Sequence, residues 1–331
     1  MNVSGEGGKL LGLKWDKVAD TLAITFPQEG AEPTKRGILG KLAHIYDPPG
    51  LASLSTLQEK FIYREACELK QAWDAPLPDA LAVRWKRWES DLPENIVVTW
   101  TFSPYWEPIN AVEFHAFGDE SGRGVAAAVY TVVRQDSGTT QGLVAAKARL
   151  AKQRLTIPRL ELAAEHMAVN SVDNTHHVLD GWPVISVHCW LDSSLALHWI
   201  CGNGEYRQFV ANRMKKIKEH EIDEWRHVST DQNPAELGSR GGSVTDVDLW
   251  WNGPKWLQDR NTWPPNPMTT ASEVTEAESK IIREVLAAVT VDQKQDEFDQ
   301  LLKGHDLRKS LTSMWSATNY NSIFSQTGWK S

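Results

Sequence analysis

Cysteine is scarce: Cys67, Cys189 and Cys201 are the only three in 331 residues, with no C-x-x-C pair and no His/Cys cluster at zinc-ligand spacing. A disulfide framework and a zinc-built domain are thereby excluded, and free thiols in a reducing compartment are expected. No run approaches the roughly 20 apolar residues that a membrane helix needs. The N-terminal MNVSGEGGKLLGLKWD lacks the basic segment and apolar core of a secretory signal. Membrane insertion and secretion are therefore not expected. Low-complexity tracts and internal repeats are also missing, which argues against long disorder. Net positive charge is absent: the formal charge is −8, the wrong sign for a protein that coats nucleic acid.

What remains is ordinary globular material, 41% hydrophobic and 24% charged, long enough for one large or two modest domains. Basic charge is concentrated locally. KARLAKQRLTIPR, from Lys147 to Arg159, holds five basic residues and no acid, and VANRMKKIK (210–218) adds four. On charge alone, two solvated faces explain these stretches as well as a phosphate track does.

Two short strands, KLLGLKWD and DTLAITF, open the chain. A helical pattern follows from Pro33 to about Leu92, and its first helix is expected to place Ile38, Leu39, Leu42 and Ile45 on one face before Pro48-Pro49-Gly50. Trp85 and Trp88, three apart, read as core. After the Pro-rich PYWEP, EFHAFGDESGRGVAAAVYTVV and GLVAAK predict a three-stranded meander. Pro158 opens a long amphipathic helix, VISVHCWL reads as a buried strand, and helices from SSLALHWI and near Phe209–Glu221 follow. EWRHVST predicts the last strand, and Asn233 with Pro234 caps a final helical turn. The order is β-β-β-α-β-α-α-β-α, an α/β fold. Beyond Gly241 come a Trp- and Pro-rich stretch, a polar helical segment ASEVTEAESKIIREVLAAV, and a Ser/Asn-rich end.

Four acids stand where elements begin or end, which is where rigid parts can present ligands to an open face. Asp119 ends the first meander strand, Glu161 is expected in the first turn of the long helix, Asp192 ends the next strand, and Glu236 lies in the first turn of the last helix. Their separations of 42, 31 and 44 residues fit no local motif, only convergence in a fold. Each alone has a plain structural role: turn former, helix-dipole acid, N-cap, first-turn acid. Together they are hard oxygen donors suited to Mg²⁺ (or Mn²⁺), and two such ions roughly 3.5–4 Å apart can hydrolyse a phosphodiester without a nucleophilic side chain. Without a cation, clustered carboxylates raise one another's pKa.

RGILGKLAHIYDPPGLASLSTLQEKFIYREACELKQAWD, AFGDES, AAKARLAKQRLTIPRLELAAE, WLDSSLALHWI, FVANRMKKI, EWRHVSTDQNPAELGSRG and LWWNGPKWL, in that order, resemble the BEL/Pao class of long-terminal-repeat retrotransposon polyproteins, where reverse transcriptase joins RNase H. The likeness covers nearly all of residues 8–258. It implies an RNase H-like mixed sheet flanked by helices, preceded by a small helical region like a reverse-transcriptase thumb or connection. It implies residues 1–30 as the end of the palm, 31–95 as the helical region, 96–111 as a linker, 112–243 as the RNase H-like domain, and 244–331 as a Trp/Pro-rich docking segment with a C-terminal linker.

The resemblance also implies two-metal hydrolysis of the RNA strand of an RNA·DNA hybrid, with Asp119, Glu161 and Asp192 in the first three acidic positions. At the fourth, the family has Asp where this chain has Glu236, one methylene longer. Many RNases H carry a mobile histidine just before that acid. Here the loop STDQ has none, and His227 is expected in the strand. Lys147, Arg159 and Arg213 are candidate phosphate contacts, and Asn233 a candidate donor near the hybrid. No two aspartates are consecutive, so the Asp-Asp pair of polymerase chemistry is missing, as are integrase zinc ligands and any protease motif. The partners implied are the hybrid and the reverse-transcriptase and integrase parts of the same polyprotein, in cytoplasmic element particles or the nucleus. The rival expectation is a catalytically impaired binding or connection module, or a domesticated element-derived protein. A transposase- or integrase-like nuclease is disfavoured by the motif order.

Overall fold

The computed structural model describes residues 8–266 apart from 11, 100–102, 106, 180, 203 and 205. The helical segment and Ser/Asn-rich end expected near the C-terminus lie outside the described residues. β1 (Gly8–Leu10), β2 (Leu13–Asp16) and β3 (Thr21–Thr25) form an antiparallel meander, followed by α1 (Lys35–Ala43), α2 (Ser53–Glu68), α3 (Asp79–Ser90) and β4 (Asn95–Thr99). β4 returns to complete the sheet in the order β1-β2-β3-β4, pairing Val98 with Leu22 and Ile96 with Ile24. Residues 96–99 of the expected linker thus belong to a strand, because Ile96 and Val98 find partners 72 and 76 residues back.

Leu22, Ile24, Ile38, Leu54, Trp85 and Trp88 share a core under this sheet. Trp85 and Trp88 stack at 5.1 Å and donate to the carbonyls of Ala31 and Ser55, so the core reading of the pair holds. The face expected for α1 is corrected. Leu39 is 40% exposed, whereas Lys35 and Lys41 are buried beside Ile38. Both lysines lay apolar stems along the core and carry their charge to polar groups, Lys35 to the carbonyl of Gln71 and Lys41 to Glu29 O and Glu89.

The second sheet is built from β5 (Ala111–Glu120), β6 (Gly124–Gln135), β7 (Gly138–Leu150), β8 (Val184–Leu191) and β9 (Glu224–His227) in the order β7-β6-β5-β8-β9. β5–β6–β7 is the expected antiparallel meander, while β8 and β9 run parallel to β5. α4 (Ile157–Val178), α5 (Ser194–Cys201) and α6 (Gln208–Ile217) cover one face over Val112, Phe114, Ala116, Val129 and Val187. The other face takes α2, α7 (Pro234–Arg240) and α8 (Asp248–Asn252). Beyond α8 the chain continues in 3₁₀ turns at Lys255–Gln258 and Arg260–Thr262.

The Trp-rich stretch packs rather than dangles. Trp250 is fully buried and donates to Leu51 O, Tyr130 donates to Trp250 O, and Trp263 caps the stacked rings of His115 and His188. The loop before α2 is pinned to β7 by Gly50, whose φ is +77°; a Cβ there would collide with the carbonyl of Ala146. Among the described residues no helix is long and apolar enough to cross a membrane.

Candidate active site

β5 and β8 are adjacent parallel strands with Phe117 opposite Trp190. Asp119 and Asp192, each two residues further on, therefore emerge at the same carboxyl-terminal edge, where open α/β sheets present their sites. Asp119 is still inside β5 and 6% exposed; Asp192 is the first residue past β8.

α7 is tied to this edge by Asn233. Its side-chain oxygen accepts from Ala235 N (3.0 Å) as the N-cap, and its amide donates to Gly118 O (2.9 Å). That brings the Glu236 carboxyl close enough to raise Asp119, and brings the Ser239 hydroxyl to donate to Asp119 Oδ2. Asn233 itself is fully buried with both ends of its amide used. The expectation that it contacts nucleic acid is corrected: it positions the helix.

α4 begins at Ile157 with Thr156 as N-cap, one residue earlier than Pro158, so Glu161 opens the second turn rather than lying in the first. Ser193 joins it to the edge: its hydroxyl donates to Glu161 Oε2 (2.5 Å) and accepts from Ala196 N (3.1 Å). Ser193, not Asp192, is thus the N-cap of α5, and Asp192 is left for other work. Thr230 donates to Asp192 Oδ2 at 2.9 Å, and His227, in β9 as expected, has Nε2 3.0 Å from Asp192 O.

The electrostatics follow from this convergence. Burial above all, then the Glu236 carboxyl and the charge of Asp192, push the Asp119 carboxyl up to about 9, against the Ser239 hydrogen bond that lowers it. Burial also raises Glu161, with Glu120 and Asp192 adding to it and the Ser193 hydroxyl opposing. Glu120, whose carboxylate holds the Gly122 N–H in the β5–β6 turn, is raised by burial and by Asp192 and Glu236. Glu165, buried in α4, is pushed far above the carboxylate range by burial and then by Asp192, Asp119 and Glu161. Arg240 forms an ion pair with Glu236, one turn away on α7.

All the donors are carboxylate oxygens, and several are driven toward protonation because burial and like charge outweigh what positive charge is near. That chemistry fits a hard divalent cation. As they stand, no three His, Cys, Asp or Glu side chains among the described residues surround one point closely enough to hold an ion.

Of the expected basic contacts, Arg159 and Arg213 both pack on the ring of Phe209, at 5.4 and 3.7 Å. Lys147 points from β7 toward the same side of the sheet as α4, and burial and Arg149 lower it to about 8. His166 of α4 is lowered to about 4 by burial and then by Arg213, Lys216, His220 and Arg149, which shows how closely the basic groups of β7, α4 and α6 gather.

Sequence reasoning missed Glu120, Glu165, Ser193 and Ser239. Glu165 carried a signal, since LELAAE spaces two acids one helical turn apart, on one face.

Comparison with known proteins adds a family match over part of the chain. Residues 34–193 match the family described as Pao retrotransposon-like RNaseH-like domain. The Pao-type resemblance is thereby borne out over a stretch running from α1 through Asp119, Glu161 and Asp192; Glu236 lies beyond it. The mixed five-stranded sheet flanked by helices is the RNase H-like fold expected for this family. Among solved structures, the RNase H1 of Halobacterium salinarum is 21% identical, covering 38% of this chain and 91% of its own, with a TM-score of 0.27. A compost-derived RNase H1 solved with an RNA/DNA hybrid is 14% identical, with coverages of 37% and 88% and a TM-score of 0.25. A foamy viral protease-reverse transcriptase solved with double-stranded DNA is 12% identical over 58% of this chain and 34% of its own, with a TM-score of 0.33. No functionally curated protein matches.

Proposed function

We propose that this chain is a ribonuclease H-type endonuclease of a Pao-type element, hydrolysing the RNA strand of an RNA·DNA hybrid with two bound Mg²⁺ or Mn²⁺ ions during reverse transcription. The observation that carries the reading is the meeting of Asp119, Asp192, Glu161 and Glu236, from four separate elements, at one edge of the Pao-type sheet. These four would hold the ions, which when bound activate a water and stabilise the leaving oxygen. The chain's own part is orientation: Ser239, Ser193 and Thr230 each donate to one of three carboxylates, which limits their rotation before a metal arrives. Lys147, Arg159 and Arg213 supply positive charge for phosphates, and RNA preference would come from 2′-hydroxyls in the shallow minor groove. The working context is the element's particle or the nucleus, beside the reverse transcriptase and integrase parts of one polyprotein.

A second reading, a hybrid-gripping connection module without catalysis, is favoured by one observation: Glu236 is a methylene longer than the family's Asp and is engaged by Arg240. Incubating the chain with a labelled RNA·DNA hybrid and Mg²⁺, Mn²⁺ or EDTA separates the two. Metal-dependent RNA cleavage abolished by Asp192→Asn supports the nuclease; intact hybrid binding with no cleavage leaves the module.

A further inference from the structure

The buried positions of α4 are apolar with one exception, Glu165. It follows Glu161 by one turn and so shares its side of the helix. The side chain is 2% exposed and its Oε2 has no hydrogen-bond partner. Across from it Gly118 supplies the room: a Cβ there would collide with Glu165 Oε1, so the carboxyl lies against the backbone of β5 one residue before Asp119. The charges of Asp192, Asp119 and Glu161 all bear on it. A leucine would suit the otherwise apolar buried face of α4 better than an acid with an unmade hydrogen bond, whose desolvation is uncompensated. A buried acid with an unpartnered oxygen, under the charge of three other acids, has the chemistry of a cation ligand.

We propose that Glu165 is a fifth carboxylate of the cation site, the buried one, and that divalent ions of hard oxygen preference are bound with its participation. This rests on the nuclease reading of the same edge. The test is binding of Mn²⁺ alone to the full chain by calorimetry, with melting temperatures recorded with and without Mn²⁺, for wild type, Glu165→Gln, Glu165→Met and Asp192→Asn. Removing the buried acid should raise the melting temperature of the metal-free protein, weaken Mn²⁺ binding by roughly 10- to 100-fold, and abolish most of the rise that Mn²⁺ produces. A purely structural acid would move the first quantity and leave the other two. Met fits the apolar pocket if Gln does not. Wild-type Mn²⁺ affinity in both Glu165 variants, with Asp192→Asn impaired, overturns the role of Glu165 and leaves the nuclease reading standing. Failure of the wild type to bind Mn²⁺, or unchanged binding in Asp192→Asn, overturns both.

Discussion

Two regions of this molecule bury carboxylates, for different reasons. In the helical layer Glu59 is fully buried on α2, both oxygens unpartnered, and burial lifts it to about 8. Its charged neighbours are mainly lysines: Lys60 and Lys41 pull it down, and only Glu89 adds to the rise. At the sheet edge burial also comes first for Asp119, but what surrounds it is Glu236 and Asp192, acids again. A single buried acid near lysines is a local destabilisation. Several acids facing one another from separate elements constitute a demand for positive charge, and that demand is what marks a site.

The comparison is broken most severely by chemistry. Asp192→Asn should lower Mg²⁺-dependent hybrid cleavage by roughly 10³-fold or more, since losing even one preorganised donor at an active site costs about 10²–10³-fold. Glu59→Gln should leave cleavage at the wild-type rate. Equal losses in a gel-based cleavage assay would show that both acids act through stability.

Stability against pH reverses the ranking. The Glu59 carboxyl is raised in the folded state above its value in the unfolded chain, so between about 4.5 and 8 the unfolded chain releases the proton first and stability falls as pH rises. The shift, discounted for residual screening, amounts to about 3 kcal/mol. Glu59→Gln should therefore be more stable than wild type by that order at pH 9 and little different at pH 4.5, measured by urea unfolding. A constant difference across this range would refute the assignment.

Metal uptake sharpens the contrast from the other side. With Asp119 lifted to about 9, a cation must displace its proton, so Mg²⁺ affinity should climb about tenfold per pH unit from pH 6 toward 9. Calorimetry in buffers of different ionisation enthalpy would count the protons released. Zero protons would mean that Asp119 is not a ligand.

How much of this was legible in the sequence depends on the range of the interaction. The β-β-β-α-β-α-α-β-α order followed from period and caps, both local, and the Asn233–Pro234 start of α7 is a cap that a single tetrapeptide declares. The return of β4 to β3 was not legible, because a five-residue strand with no nearby partner looks like a loop. Leu39 and Lys41 exchanged roles for the same reason: a lysine stem can cover a core when an acceptor such as Glu89 waits across a 48-residue gap. The four acids could be named, but not the serines that aim them, since Ser193 and Ser239 acquire meaning only once their elements meet. Asn233 shows the converse: its oxygen caps α7 locally, as the sequence declares, while the donor that a functional reading wanted is spent on Gly118 O, 115 residues away.

The smallest expected effect concerns Glu236. Its extra methylene displaces the carboxylate by about a bond length, and its partners here are Asp119 on one side and Arg240 on the other. If that length hinders catalysis, Glu236→Asp should raise the cleavage rate severalfold, less than the roughly 10²-fold that a 1 Å misplacement can cost, with KM for the hybrid unchanged. Arg240→Ala, which frees Glu236 without shortening it, should give a smaller gain in the same direction. A slower Glu236→Asp would mean instead that the longer acid is the fitted ligand, its reach matched to an α7 that Asn233 ties to Gly118.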